Sequence, residues 1–353
     1  MKAVLMCGGI GSKMWPESRQ TKPKHFLPLL GEKSLFEITY KVLRKKFEAK
    51  DIYVQTNAVQ ADMARKLVPE IPIENVFVEP ELRNHGPATG FMAAKLMNIA
   101  PDEVFMTVQT DVLRIPEDKF LEMIDEVERL IDEKKKLVTG GVKPEFAVMG
   151  VDYLIRSEER VGEVSGMGIY KMDKWLERDS KDKVEEFVKR GRAFLHANHY
   201  AWTPRLMLEA YKRIKPDWYK ALVKMMESGF DDETVKREYG SMEKGGVEEV
   251  TRTELLEGFV VELPFEWIDF GTWESVAKYL DKQGKKEHEN VLEIDSTGNF
   301  YRLPSGKFVA SIGVSDVVLV ETADAILLCK KDKSSMVGQV VDYLKEKKRK
   351  ELL

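Results

Sequence analysis

The sequence predicts an α/β fold: a doubly wound, Rossmann-like sheet followed by a small C-terminal β-helix-like domain. Three observations carry that expectation. Apolar runs alternate with helical stretches through roughly the first 145 residues, which implies a sheet with helices on both faces. A loop with three glycines, Gly8, Gly9 and Gly11, leaves the first of those runs. After the charged linker Asp281–Asn290 the alternation gives way to short β runs separated by turn residues.

Taken in order, the strand-like Ala3–Met6 leads into the glycine loop, and Ser34–Phe47 reads as a helix. Asp51–Gln55, Asn75–Val78, Glu103–Val108 and Leu137–Val142 read as strands, interleaved with helices at Gln60–Leu67, Ala88–Ile99 and Lys119–Lys135. In such sheets ligands bind beyond the C-terminal strand ends. The glycine loop and Asp111, which follows Glu103–Val108, are therefore expected on one edge. From Lys143 to about Pro264 the pattern is less regular. It holds helical blocks at Lys181–Lys189 and Pro204–Met226, then a polar, acidic loop and the β run Gly258–Leu263. Trp273–Leu280 reads as a helix, and the chain closes on another at Ser335–Lys347. The expected domains are 1–280 and 281–353. A tail of two or three β coils leaves an apolar face open, so it is expected to pack on the first domain or pair with a second copy as a homodimer.

Composition narrows the function. Lys+Arg 56 against Asp+Glu 60 gives a net charge of −4, which offers no footprint for nucleic acid. Two cysteines, Cys7 and Cys329, lie in apolar runs and form no disulfide framework, which fits a reducing compartment. The N-terminus MKAVLMCGG is too short for a signal-peptide core, and no apolar run approaches the ~20 residues of a membrane span, so a cytoplasmic protein is expected.

The loop CGGIGSKMWPESRQTKPKHFLPL, Cys7–Leu29, combines glycines, whose backbone amides can approach a ligand closely, with lysines. It is built to hold phosphate. It is neither a dinucleotide fingerprint nor a Walker loop, since the third glycine of the one and the G-K-[ST] of the other are absent. The missing glycine also argues against a dinucleotide-dependent oxidoreductase.

This stretch resembles the signature of sugar-nucleotide pyrophosphorylases, G-G-x-G-x-R-x-x-P followed by P-K, and its Trp15-Pro16-x-Ser18-Arg19 insert resembles the mannose-1-phosphate guanylyltransferase branch. Further segments fall in the family's order. VEPELRNHGPATG resembles E-P-x-x-R-N-T-A-P-A, and TVQTDVLRIPEDKF resembles P-S-D-H-x-I. WLERDSKDKVEEFVKRG resembles F-x-E-K-P and its helix. REYGSMEKG resembles D-Y-x-x-M-E-K, and EWIDFGTWESV resembles W-x-D-x-G-[ST]-W. The match runs from Met1 to about Leu280, and the β tail suits the family.

The resemblance implies a GT-A-like nucleotidyltransferase with a mixed sheet. It would transfer a nucleoside monophosphate from a triphosphate, GTP in this branch, to a hexose 1-phosphate such as mannose 1-phosphate, releasing pyrophosphate. It further implies site residues. Lys13 and Lys24 are the catalytic cations, and Asp111 and Asp269 hold Mg²⁺. Gly8, Gly9 and Gly11 cradle the triphosphate, with Arg83, Asn84 and Gly86 along the base. Gly150, Glu177, Arg178, His196 and Asn198 serve the sugar phosphate. Each has a plainer structural reading as well. Asp111, Asn84 and Asp269 could cap helices, and Glu177-Arg178 could be a solvated ion pair.

The chain departs from the pattern in places. Lys13 stands where the family has arginine, keeping the charge and losing the bidentate fork. His85 replaces a threonine, Glu238 an aspartate, and Gln109-Thr110-Asp111-Val112 keeps only the aspartate of P-S-D-H. The strand carrying the sugar-binding asparagine reads His196-Ala197-Asn198-His199-Tyr200-Ala201, so that position is His196 without a gap or Asn198 with a slip. The metal and phosphate residues survive best and the sugar side worst. A catalytically weak or silent homologue that binds nucleotide sugar and regulates a partner is the alternative from a different class.

Overall fold

A computed structural model of the chain describes residues 1–147, 152–177, 181–284 and 290–353. In chain order the elements are β1 (Lys2–Cys7), α1 (Leu35–Leu43), β2 (Ile52–Asn57), α2 (Ala58–Leu67), β3 (Val76–Glu79), α3 (His85–Met97), β4 (Phe105–Gln109), β5 (Val112–Ile115) and α4 (Glu117–Lys134). There follow β6 (Val138–Val142), β7 (Tyr153–Val164), β8 (Met167–Leu176), α5 (Lys181–Lys189), β9 (Ala193–Trp202), α6 (Pro204–Ile214), α7 (Pro216–Glu227), α8 (Asp232–Ser241) and α9 (Glu248–Leu256). The last are β10 (Phe259–Glu262), β11 (Glu266–Asp269), α10 (Trp273–Lys282), β12 (Val291–Ile294), β13 (Phe300–Arg302), β14 (Val309–Ile312), β15 (Val317–Glu321), β16 (Ile326–Lys330) and α11 (Gly338–Glu346). The chain divides into two compact units: Met1–Gly8, Tyr40–Gln109 and Arg114–Trp267 in the first, and Gly9–Thr39, Thr110–Leu113 and Ile268–Leu353 in the second.

The first unit is built on a nine-stranded sheet of order β3-β2-β1-β4-β9-β6-β10-β8-β7. Strands β1 to β4 pair in parallel, as alternation with helices predicts. The remainder makes the sheet mixed. β9 runs antiparallel between β4 and β6, and β7 and β8 form a long antiparallel pair joined by a turn at Ser165–Gly166, which needs no crossover helix. Helices cover both faces. On β9, Tyr200 lies in the large core with α3 and α6 to α9, while its neighbour His199 meets Phe120 of α4, as alternate strand residues must.

Two stretches of this unit differ from the sequence expectation. The block Pro204–Met226 is two helices, because Pro216 opens α7 and pushes Lys215 out of helical geometry (φ −130, ψ 65). The stretch expected as a polar loop holds α8 and α9. Asp231 caps α8 by accepting from the Thr234 amide at 3.0 Å, and Val235 and Tyr239, four apart, supply its buried stripe.

The second unit has its own core. Met14, Trp15, Leu27 and Leu29 from the glycine-loop segment pack with Phe270, Trp273, Phe300, Val318, Leu327 and Val341. The Trp273 indole donates to the Trp15 carbonyl, and the Trp15 indole to the Leu352 carbonyl, both at 2.9 Å. Its β tail winds as expected. Val291 pairs with Val309 and Phe300 with Val318, each in parallel and each eighteen positions on, which is one coil of a β-helix. β16 then folds back antiparallel on β15 and ends the winding. The α/β fold with a β-helix-like tail is therefore borne out.

Candidate active site

In the second unit, the glycine loop continues from Gly8 at the end of β1, and Thr110–Leu113 follows β4, the parallel neighbour of β1. Gly11 has φ +77, and a Cβ there would stand 2.4 Å from Lys24 Cβ, so only glycine lets the loop and the Lys24 segment close on each other. The Lys24 amide donates to the Ile10 carbonyl at 3.2 Å. His25 is buried beneath the loop. Its Nε2–H donates to the Gly9 carbonyl at 3.2 Å, which leaves Nδ1 to accept from the Thr110 hydroxyl at 3.0 Å.

Lys24 is buried, and its Nζ lies 2.6 Å from Asp111 Oδ2. Burial opposes the Asp111 charge, but the Lys24 ammonium, with His25 nearby, outweighs it and holds the carboxyl down at about 2. Asp269 reaches the same group of charges. Its pKa is pushed up by desolvation and by the Asp111 carboxylate, against the pull of Lys24 and Lys13. The Phe270 amide donates to the Asp111 carbonyl at 3.3 Å, tying the two aspartate-bearing segments together. Neither aspartate caps a helix. Asp111 precedes a strand, and α10 is capped by Thr272 and Ser275 in a capping box. The fold thus gathers Gly9, Gly11, Lys13, Lys24, Asp111 and Asp269 in one compact unit. Lys13 is exposed.

The donor set fits a hard divalent cation. The Asp111 carboxylate opposes the ionisation of Asp269, and no group of three or more His, Cys, Asp or Glu side chains among the described residues offers a softer or fuller site.

The first unit holds the remaining candidates. Asn84 does cap α3, with φ 69 and its side chain accepting from the His85 amide at 2.8 Å. Arg83 donates to the Met242 carbonyl at 3.1 Å, and the Gly86 amide to the Gly245 carbonyl at 2.8 Å. A Cβ on Gly86 would stand 2.5 Å from the Trp218 ring, so the close approach requires glycine. The segment 242–252 then links this group to the sugar-side candidates. Arg252 of α9 bonds Glu177 and lies over the Trp175 ring at 5.4 Å, and the His196 ring meets Trp175 edge-on at 5.0 Å. Burial holds His196 at about 3, so it is neutral, and its Nε2 pairs with Thr139 Oγ1 at 3.1 Å. Asn198 sits apart on the same strand, exposed at φ 52, its carbonyl accepting from Gln109 Nε2. Gly150 and Arg178 lie outside the described residues.

Three residues that the sequence reading did not single out belong to these groups. His25 and Arg252 carry no spacing signal. Glu79 does: an acid beside Pro80 at the end of a strand. It is buried, accepts from the Tyr239 hydroxyl at 2.6 Å, and is pushed up to about 7 by burial, the hydrogen bond pulling the other way.

A mixed α/β sheet with paired aspartates and lysines beside a glycine loop defines a nucleotidyltransferase. The chain belongs to the nucleotidyl transferase family, which it matches over residues 2–286, and residues 289–344 match the MannoseP isomerase/GMP-like beta-helix domain. It is 28% identical over 357 residues to a mannose-1-phosphate guanylyltransferase of Salmonella muenchen, covering 99% of this chain and 74% of that protein. It is also 28% identical over 360 residues to the alginate biosynthesis protein AlgA of Pseudomonas putida, covering 99% and 73%. The fold is similar to the crystal structure of a Thermus thermophilus protein described as mannose-1-phosphate geranyltransferase, with a TM-score of 0.79 and 22% identity over 98% of this chain and 99% of that one.

Proposed function

We propose that the protein is a mannose-1-phosphate guanylyltransferase, joining GTP and mannose 1-phosphate to give GDP-mannose and pyrophosphate. The observation that carries this reading is the convergence of Asp111 and Asp269, from distant parts of the chain, with Lys24 and Lys13 beside the glycine loop. The names of relatives that match 99% of this chain support the choice of substrates.

In this reaction a phosphate oxygen of the sugar phosphate forms a bond to the α-phosphorus of GTP. The bond from that phosphorus to the bridging oxygen breaks, and pyrophosphate leaves with the electron pair. The protein's task is positioning and charge stabilisation, with no covalent intermediate. Backbone amides of Gly8, Gly9 and Gly11 hold the triphosphate. Lys24, fixed against Asp111, and the exposed Lys13 offset charge on the transferred and leaving phosphates. Asp111 and Asp269 would hold Mg²⁺, which supplies neutralisation of phosphate oxygens when bound. By resemblance to the family, Arg83, Asn84 and Gly86 are assigned to the base, and Glu177 and His196 to the sugar.

Purified protein with GTP, Mg²⁺ and mannose 1-phosphate releases pyrophosphate and forms GDP-mannose on this reading. No pyrophosphate with any nucleotide and hexose 1-phosphate would overturn it. A cytoplasmic homodimer completes the proposal. The exposed apolar residues Leu292, Ile294, Phe308, Ile312 and Leu328 of the β tail favour self-association, which sedimentation equilibrium measures.

A further inference from the structure

The glycine-loop segment Gly9–Ser12 turns its carbonyls into its own unit. The Gly9 carbonyl accepts from His25 Nε2–H at 3.2 Å. The Ile10 carbonyl accepts from the Lys24 amide at 3.2 Å and from the Ser18 hydroxyl. The Gly11 carbonyl accepts from the Met14 amide at 2.9 Å, and the Ser12 carbonyl from the Trp15 amide at 3.2 Å. A trans peptide sets its C=O and N–H in opposite directions. The N–H groups of the same four peptides belong to Ile10, Gly11, Ser12 and Lys13, and they point away from those partners. None of the four donates a hydrogen bond among the described residues, and none of the four residues is buried. Gly11, at φ 77 and ψ 48 and followed by the Ser12–Met14 turn, gives the run the curl that makes successive amides an anion-binding concavity.

Three of these carbonyls are held by backbone amides, which a change of side chain leaves in place. The Gly9 carbonyl is held by a side chain. The His25 ring is buried, and its other nitrogen accepts from the Thr110 hydroxyl at 3.0 Å. Thr110 is fully buried and immediately precedes Asp111. The ring therefore bridges the loop and the aspartate segment. Lys24, the residue before it in the Lys24–Phe26 turn, bridges the same two segments one position further along each. Its amide reaches Ile10, and its Nζ reaches Asp111 at 2.6 Å. Two adjacent residues thus hold Gly9–Ile10 against Thr110–Asp111. Both ring nitrogens of His25 are engaged, so the ring acts on a ligand through the backbone it holds.

We propose that His25 is a positioning residue: it fixes the Gly9–Ile10 peptide so that the Ile10 amide, with those of Gly11, Ser12 and Lys13, presents to the phosphate chain of the nucleotide. The run adds Ile10, Ser12 and Lys13 to the glycine amides assigned to the triphosphate. His25, Thr110 and the run itself all belong to the second unit. Glycine offers little resistance to rotation of its backbone, so the Gly9–Ile10 peptide needs an external hold. Released from the ring, it can turn its carbonyl oxygen toward the phosphates in place of its N–H. The inference rests on the reading of the loop as the holder of the triphosphate.

The test compares His25→Leu and His25→Gln with the wild-type full chain, with Phe26→Leu, at the buried neighbour of His25, as the packing control. Leucine fills the space with neither donor nor acceptor. Glutamine carries an amide N–H for Gly9 and a carbonyl for Thr110. His25→Leu is expected to raise KM for GTP by about tenfold or more, the size of one lost hydrogen bond to a charged group, while KM for mannose 1-phosphate stays within about twofold. His25→Gln should return KM for GTP to within about threefold of the wild type. Phe26→Leu should lower the melting temperature and leave both KM values in place. An unchanged KM for GTP in His25→Leu overturns the proposal. An equal rise in His25→Leu and His25→Gln makes the ring a matter of packing and overturns it too. So does a rise in Phe26→Leu as large as in His25→Leu, since the loop would then follow any loosening of the core. If the wild-type protein forms no GDP-mannose, the functional reading fails separately. The brace is then tested with inorganic tripolyphosphate, which should raise the melting temperature of the wild type and of His25→Gln more than that of His25→Leu. Equal shifts in all three, or none in any, overturn it.

Discussion

The two compact units handle charge differently. In the second, Lys24 is paired with Asp111 and both ring nitrogens of His25 are engaged, while desolvation and Asp111 oppose the ionisation of Asp269. In the first, donors wait. The buried Arg252 Nε–H and Trp175 N–H have no partner among the described residues, and Glu79 is held near neutrality. The contrast follows the chemistry. Stabilising a transferred phosphate demands the same fixed charges for every substrate, so these are locked in advance. A buried donor left without a partner costs stability, so the first unit carries polar groups that its own fold does not satisfy.

The sharpest way to break the comparison is to remove each aspartate. Asp111→Asn and Asp269→Asn should each lower kcat by on the order of a thousandfold. Stability in EDTA should move in opposite directions. The Asp111 pKa is depressed, so its contribution is present above the ordinary carboxylate value and lost as pH falls through about 2. Asp111→Asn therefore destabilises at neutral pH. The Asp269 pKa is raised, so ionising it costs stability as pH climbs, and Asp269→Asn should raise the melting temperature at neutral pH. Melting curves of the metal-free variants that shift the same way would remove the claim that the pair is poised for a cation.

Lys24→Met comes next. It leaves the Asp111 carboxylate without its counter-charge and should cost about 3–5 kcal/mol in denaturant unfolding, with a fall in kcat. Added Asp111→Asn should recover much of that stability and none of the activity, because the buried charge is then gone but the cation is still missing.

Much of the second unit's site was legible in the sequence because its constraints are local. Gly11 must be glycine for its backbone angle and its contact with Lys24, so the loop announces itself. Asp111 and Asp269 each sit at a strand end within a recognisable run, though their meeting could not be read. The first unit was less legible. Helices α8 and α9 are polar over most of their length, and each hides its buried stripe in a few residues such as Val235, Tyr239 and Val250. Arg252 on α9 means nothing without Trp175, which reaches it from β8. Packing of the β tail on the first domain was expected, but that it meets the glycine-loop segment was not legible, since this depends on contacts such as the Trp15 indole with the Leu352 carbonyl.

Glu79 provides a pH-dependent test of the first unit. Its pKa is raised from 4.5 to about 7, so the stability it contributes is fully present below about 4.5 and lost as pH rises through about 7. Glu79→Gln keeps an acceptor for the Tyr239 hydroxyl and cannot ionise. It should match the wild type near pH 4 and exceed it at pH 8 by up to about 3 kcal/mol. A constant difference across that range would mean that the carboxyl is ionised throughout, and this unit would then be as fully paired as the other.

Lys13→Arg should have the smallest effect and says most about whether the second unit is complete. Lys13 is exposed, and its charge reaches Asp269. Arginine keeps that charge and adds a fork. If Lys24, Asp111 and Asp269 already set the field around the leaving phosphate, the extra donors add little, and kcat should change by less than about tenfold in either direction. A gain of several hundredfold would mean that lysine at this position leaves the reaction under-stabilised. The chain would then read as a weakened enzyme whose retained nucleotide site serves another purpose, and the pre-paired charges of the second unit would be scaffolding without the group they were built to assist.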